Sequence, residues 1–305
     1  MKRSQTLILC YHRVAEAVED PFLLCVHPEN FAAHLEELTR WWEPSSLDDL
    51  SVPSHRPRVV VTFDDGYCDN LVSALPIAEA KGVPLAVFVT SGIFGQHRGF
   101  WWDRLAALLR SRPSDISEIC LPIGAETIRV ELGASRFAAE LQEVRSHLIR
   151  LPVHEIECAL DIVAEQWSVA SAVPPDARCL SASELRELAA IESVTIGAHT
   201  VDHVRLRGRP QQEQQDTIAS SKNELEQMLG HSVSHFAYPF GRRDDFDDHS
   251  VNAVRSAGFD TACTTLPGTA GPSTDRYRLP RRLVMDWGRL RFRAQMMRWN
   301  LGRSS

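Results

Sequence analysis

Nowhere in the 305 residues is there a Gly-x-x-x-x-Gly-Lys-Ser/Thr stretch, so the chain lacks the phosphate cradle of P-loop nucleotide hydrolases. Nor does it contain a Cys-x-x-Cys pair. Its seven cysteines, Cys10, Cys25, Cys68, Cys120, Cys158, Cys179 and Cys263, are scattered. They read as buried thiols in a reducing compartment, not as a disulfide framework or zinc knuckle. Long apolar runs are missing too: the N-terminal one, residues 7–10, is too short for a signal peptide or a transmembrane segment, and the expected location is the cytoplasm. Positive charge is not in excess. A net charge of -7 and a pI near 6.0 argue against nucleic acid or an anionic membrane as main partner. Repeats and low-complexity tracts are absent, and 44% hydrophobic with 24% charged residues suits a globular chain with a large core.

The strongest positive feature is Val59-Val60-Val61-Thr62-Phe63-Asp64-Asp65-Gly66-Tyr67. Its β-branched run predicts a strand buried on both faces, as in a parallel sheet. The strand ends on two adjacent carboxylates at the sheet's carboxyl edge, where Gly66 lets the chain turn away. Carboxylates side by side repel, which calls for a cation nearby. Around this stretch the chain alternates. Residues 7–11 predict a first strand with His12 just past its end. Residues 28–42 predict an amphipathic helix through Phe31, Leu35, Leu38 and Trp42, and 71–80 a helix that Pro76 kinks or splits and Gly82 caps.

Further strands are expected at 84–89, 194–198, 234–238, 259–264 and 279–284. Helices are expected after the capping-box pair Ser181 and Glu184, over 210–229, and around Val251 and Val254. Such alternation predicts an α/β fold of parallel strands whose carboxyl ends share one rim. Residues 100–178 break the rhythm with two or three helical patterns and one short arm at 127–132. They read as a mostly helical insertion on the rim of a single domain spanning 1–305. The Trp101-Trp102 pair within it could stack on a sugar ring, although burial is the more frequent fate of such aromatics. The basic C-terminus is expected to fray.

Several candidate groups follow strands: His12 the first, Asp64 and Asp65 the next, His199 and His203 a later one, Phe240 another. One rim would make them neighbours. His199 and His203 stand four apart, and two imidazoles with a carboxylate suit a borderline-soft metal such as zinc, with cobalt, nickel and manganese also compatible. Such a cation with open positions polarises a carbonyl and acidifies a water.

Together, Thr62-Phe63-Asp64-Asp65-Gly66-Tyr67, His199-Thr200-Val201-Asp202-His203 and Phe236-Ala237-Tyr238-Pro239-Phe240-Gly241 resemble the first three motifs of the polysaccharide deacetylases, the NodB-homology group of carbohydrate esterases. The resemblance implies a distorted (β/α)7-type barrel and metal-dependent removal of acetyl groups from an N-acetylated sugar of a glycan or glycan precursor. It makes Asp65, His199 and His203 the metal ligands and Asp64 the general base. The backbone N–H at Phe240 becomes an oxyanion donor, with Tyr238 and Tyr67 as further oxyanion or substrate contacts. Two positions depart from the pattern. Ala237 stands where an Arg is usual, and no histidine follows His249 to act as general acid.

Some members carry the acid near the N-terminus, in a Tyr-His segment that Tyr11-His12-Arg13 resembles, so His12 is the expected acid. The missing Arg is expected from Leu279-Pro280-Arg281-Arg282, with Arg281 preferred over Arg282. The setting implied is the synthesis of exopolysaccharide or cell-surface glycan, on a lipid- or nucleotide-linked precursor. Two alternatives stay open: an O-acetyl esterase or cyclic-amide hydrolase on the same metal site, and a sugar-binding protein without catalysis.

Overall fold

A computed structural model describes residues 5–16, 20–52, 54–94, 99–133, 137–170 and 173–300. The chain forms two units, Met1–Phe94 with Leu180–Ser305, and Gly95–Cys179. The first begins with Thr6–Tyr11 (β1), the short strands Arg13–Val14 (β2) and Cys25–Val26 (β3), and helix Pro28–Trp41 (α1). Glu43–Pro44 (β4), Arg58–Phe63 (β5), Leu75–Lys81 (α2) and Leu85–Val89 (β6) follow. The second unit holds Trp101–Arg110 (α3), the hairpin Glu118–Ile123 (β7) and Glu126–Glu131 (β8), Phe137–Leu148 (α4) and Val153–Trp167 (α5). The chain re-enters the first unit through Ala182–Ala189 (α6), Val194–Ala198 (β9), Gln211–Leu229 (α7), His235–Ala237 (β10) and Asp248–Ser256 (α8). It ends with Thr261–Cys263 (β11), Arg282–Leu283 (β12) and Arg289–Asn300 (α9).

All pairings in the main sheet are parallel, in the order β11-β10-β9-β6-β5-β1-β12, with β4 against the start of β5. β1 and β5 run in step from Thr6 beside Arg58 to Tyr11 beside Phe63, so Asp64 leaves the sheet level with His12. Leu279 bridges Cys263 of β11, three residues before β12 pairs with β1. One segment therefore touches both edge strands, and the sheet curls into the distorted barrel. Ile8, Val60, Ala86, Phe88, Ala237 and Cys263 cluster together from successive strands. Alternate positions Leu7, Leu9, Val59 and Val61 are buried as well, so both faces are covered.

Some expectations hold in detail and others change. The segment after Asp65 is split: Asn70–Ala74 forms a wide π-helical turn, and Pro76 stands in the first turn of α2, where its missing N–H is harmless. The hairpin arm at 127–132 has a partner strand, β7, that its mixed composition hides. Trp101 and Trp102 are buried, with Phe100 stacked on Trp102 at 4.2 Å. Not every thiol is buried: Cys120 is half-buried and Cys158 exposed. Among the described residues no helix is long and apolar enough to cross a membrane.

The C-terminal stretch 289–300 does not fray but forms α9. Phe292, Met296 and Trp299, spaced four and three apart, make a buried stripe that the intervening arginines obscure. Phe292 stacks on His34 of α1 at 3.9 Å, and Arg293 grips buried Glu37 at 2.6 and 2.8 Å. Phe292→Ala should therefore cost about 3–5 kcal/mol in stability by denaturant unfolding. An unchanged midpoint would mean that α9 adds nothing to the fold.

Candidate active site

Beyond Phe63 the ladder ends: Asp64 N–H donates to Tyr11 O at 3.0 Å, and Gly66 N–H turns back to Asp64 O at 3.0 Å. Asp65 sits at φ 76° and Gly66 at φ 93°, where a Cβ would lie 2.8 Å from Val89 Cγ1, so only glycine lets the turn lie against β6. The two carboxylates are thereby sent to different partners.

Asp64 faces the barrel interior. Arg281 Nη1 and Nη2 each donate to one of its oxygens at 2.6 Å. Arg281 also donates from Nη1 to Thr62 Oγ1 and from Nε to Thr264 O, both at 3.0 Å, and its guanidinium lies 5.4 Å from the Phe88 ring centre. Arg281 comes just before β12 and reaches Asp64 through the barrel interior. Arg282, one step along the pleat, lies over Trp299 instead. Burial alone would raise the Asp64 pKa, but the Arg281 charge outweighs it and holds the carboxyl well below the usual carboxylate range.

Asp65 faces the two histidines. Its Oδ1 lies 3.2 Å from His203 Nε2 and 3.6 Å from His199 Nε2, and it is buried without a hydrogen bond. His199 Nδ1 meets Ala237 O at 2.7 Å. A carbonyl only accepts, so Nδ1 carries the proton and Nε2 turns a lone pair toward Asp65. Burial pushes the His199 pKa down to about 4, keeping the ring neutral. A carboxylate oxygen and an imidazole lone pair that face each other in a buried site are two acceptors lacking a shared donor. Asp65, His199 and His203 offer ligand atoms within 4.8 Å of one another, a set that fits a divalent cation, and the Ala237 carbonyl supplies the outer contact that fixes the His199 tautomer.

The loop carrying both histidines is laced to the turn after β6 by Ser91 N–H to Thr200 O at 3.1 Å and Gly92 N–H to Val201 O at 2.8 Å. Among the described residues six non-glycines have positive φ, and Asp65, Thr200, His203 and Phe240 are four of them. Strained backbone of this kind concentrates at functional sites.

His12 is half-buried at the end of β1, with a ring nitrogen within 4.8 Å of an Asp64 oxygen and of Cys10 Sγ. Phe240, at φ 60°, stands edge-on to His203 at 4.7 Å, and its carbonyl accepts from Thr265 Oγ1 at 2.7 Å. Gly241 beside it could not carry a Cβ, which would sit 2.7 Å from Thr265 N. Tyr238 and Tyr67 are a correction. Tyr238 stacks on Phe246 at 4.3 Å and donates to Tyr277 O at 3.0 Å, and Tyr67 lies wholly buried under Arg13 at 4.8 Å, so neither side chain is open to a substrate.

Sequence reasoning missed Cys10, whose Sγ donates to Asp64 Oδ2 at 3.4 Å, and Thr62, which receives Arg281. The signal was available in part. Cys10 pairs with Thr62 across β1 and β5, so both belong to the layer just below the rim.

Residues 137–262 match the family described as polysaccharide deacetylase. YxkH of Bacillus subtilis (strain 168), a curated protein named for the same family, is 30% identical over 102 residues, which are 33% of this chain and 35% of that protein. The match thus spans little more than a third of the curated relative. Among solved structures, IcaB from Ammonifex degensii has a TM-score of 0.63 at 18% identity, covering 97% of each chain. The deacetylase PplD of Streptococcus pyogenes in complex with acetate has a TM-score of 0.59 at 18% identity, covering 93% of this chain and 94% of that one. At such identity these two show a shared fold.

His199 and His34 are both held near pKa 4, mainly by burial, against an ordinary value of 6.5. The unfolded chain then binds protons that the folded one refuses. Each histidine should lower the stability of metal-free protein by about 1.4 kcal/mol per pH unit as pH falls from 6.5 toward 4. Replacing His199 with Asn should remove one of these two contributions in denaturant titrations across that range. An unaltered slope would contradict the buried neutral imidazole.

Proposed function

We propose that this chain, whose residues 137–262 match the polysaccharide deacetylase family, hydrolyses the acetamide of an N-acetylated sugar in a glycan or glycan precursor. The observation that carries this is the split of one acidic doublet, with Asp64 gripped by Arg281 and Asp65 set against His199 and His203. Asp65, His199 and His203 would hold the divalent cation. When bound it supplies Lewis acidity to the acetyl carbonyl and to water, and two imidazoles with one carboxylate suit zinc first, then cobalt, nickel or manganese.

Asp64 takes a proton from the attacking water, whose oxygen bonds to the acetyl carbon. Arg281 favours the ionised form, and Oδ1, which Cys10 does not contact, keeps a lone pair for this role. The Phe240 backbone N–H is assigned as donor to the oxyanion that forms. As the C–N bond breaks, His12 gives its proton to the departing nitrogen, leaving acetate and a free amine. The S. pyogenes deacetylase with a similar fold was solved with acetate, the acid such a hydrolysis releases. Arg281 occupies the role that Ala237 leaves empty, which favours an enzyme over a sugar-binding protein. The synthesis of exopolysaccharide or cell-surface glycan is the fitting setting.

Asp64→Asn should abolish deacetylation of acetamido sugars while metal stoichiometry is retained, and His12→Ala should lower kcat by roughly a hundredfold or more. Assays of acetamido sugars, O-acetyl esters and cyclic amides side by side check the substrate class. Turnover confined to the esters or cyclic amides would replace the deacetylase reading, and full activity of Asp64→Asn would remove Asp64 as base.

A further inference from the structure

We propose that Asp69 and Asn70 are positioning residues for His12, fixing it against the Asp64-Asp65 turn. This rests on His12 acting as the proton donor. His12 lies between β1 and β2, and the backbone around it is tied on both sides. Its own carbonyl accepts from Asn70 Nδ2 at 2.9 Å. One residue on, Arg13 Nε donates to Asp69 Oδ2 at 2.9 Å, and next to that Val14 N–H donates to Asp69 Oδ1 at 3.1 Å. Asn70 Nδ2 also reaches Asp69 Oδ1 at 3.2 Å, so its two acceptors fix the orientation of the amide.

The bracket is buried: Arg13 and Asp69 are each 6% exposed and Asn70 fully enclosed. Burial would weaken the Arg13 charge, but the Asp69 carboxylate keeps it firmly protonated. A buried pair of this kind adds little stability over apolar residues of the same size. Asn70 Oδ1 is moreover buried without a partner, a cost that a residue kept only for packing would not carry. What the bracket supplies is geometry. Asp69 lies four residues beyond Asp65, and Asn70 opens the π-helical turn that follows directly, with Asn70 N–H on Tyr67 O at 3.1 Å and Leu71 N–H on Cys68 O at 3.0 Å. Such turns often mark functional sites. One short piece of chain thus carries the carboxylates and the clamp on the backbone that bears the His12 imidazole. Proton delivery to a leaving nitrogen tolerates little displacement, since an error of about 1 Å can cost a hundredfold.

The test compares Asp69→Asn, Asn70→Ala and the isosteric Asn70→Asp, which also loses the donor, with His12→Ala and the parent. Two substrates are used, an acetamido sugar and 4-nitrophenyl acetate, whose leaving group departs without a proton. For the Asp69 and Asn70 variants, kcat on the acetamide should fall by about 10- to 100-fold with KM and bound metal unchanged, while kcat on the aryl ester stays within about twofold. In metal-free protein the His12 ring signals, assigned by their loss in His12→Ala, should shift or broaden in the same variants. Equal losses on both substrates, no loss, or unmoved His12 signals would overturn the assignment. If His12→Ala shows the leaving-group dependence and the bracket variants do not, only this inference fails. If His12→Ala does not show it, His12 is not the donor and the positioning role falls with it.

Discussion

The double hydrogen bond between Arg281 and Asp64 is the contact on which the rest of the site depends. Two charges have been taken out of water, with Arg281 completely buried and Asp64 3% exposed. Their mutual attraction offsets that desolvation only because the planar fork meets both oxygens at 2.6 Å and spends its remaining donors on Thr62 and Thr264. Removing one partner of such a pair typically costs about 3–5 kcal/mol, because the other charge is left stranded. The arginine also joins distant parts of the chain. It starts beside β12, passes the Phe88 ring of β6, touches the residue after β11, and ends on the residue after β5. Closure of the barrel and ionisation of Asp64 are therefore linked.

With Asp64 committed inward, the turn through Asp65 and Gly66 sends the second carboxylate the other way. The cost appears in the backbone, where Asp65, Thr200, His203 and Phe240 all hold positive φ. Strain persists where neighbouring structure over-determines it, here through the bonds from the turn after β6 to the histidine loop and through Thr265 on Phe240. The result is a buried group of acceptors, Asp65, His199 and His203, held with their ligand atoms within 4.8 Å of one another.

Much of this was legible in the sequence. The strand ending Phe63-Asp64-Asp65, the His199 to His203 spacing and the regular alternation of strand and helix follow from local pattern, and parallel pairing then forces their ends together. Arg281 was nameable, but its path was not, because a long side chain rising inside a barrel leaves no periodic trace. Cys10 and Thr62 were hidden for a related reason: they act through register between strands 52 residues apart, which no single window contains. Tyr67 and Tyr238 misled because they sit in motifs beside chemistry, while their rings pack elsewhere. α9 escaped because four arginines in twelve residues mask a buried stripe of three, and β4, two residues long, carries no strand signal at all.

The central claim is that Arg281 keeps the buried Asp64 carboxyl ionised. Its most direct test is a pH titration of the Asp64 carboxyl carbon by NMR, in metal-free protein and in Arg281→Leu. In the parent protein the carboxylate should stay ionised well below the ordinary value of 3.8, and in the variant burial should carry its midpoint above that value. A parent midpoint at or above 3.8, or the same midpoint in both proteins, would contradict the account.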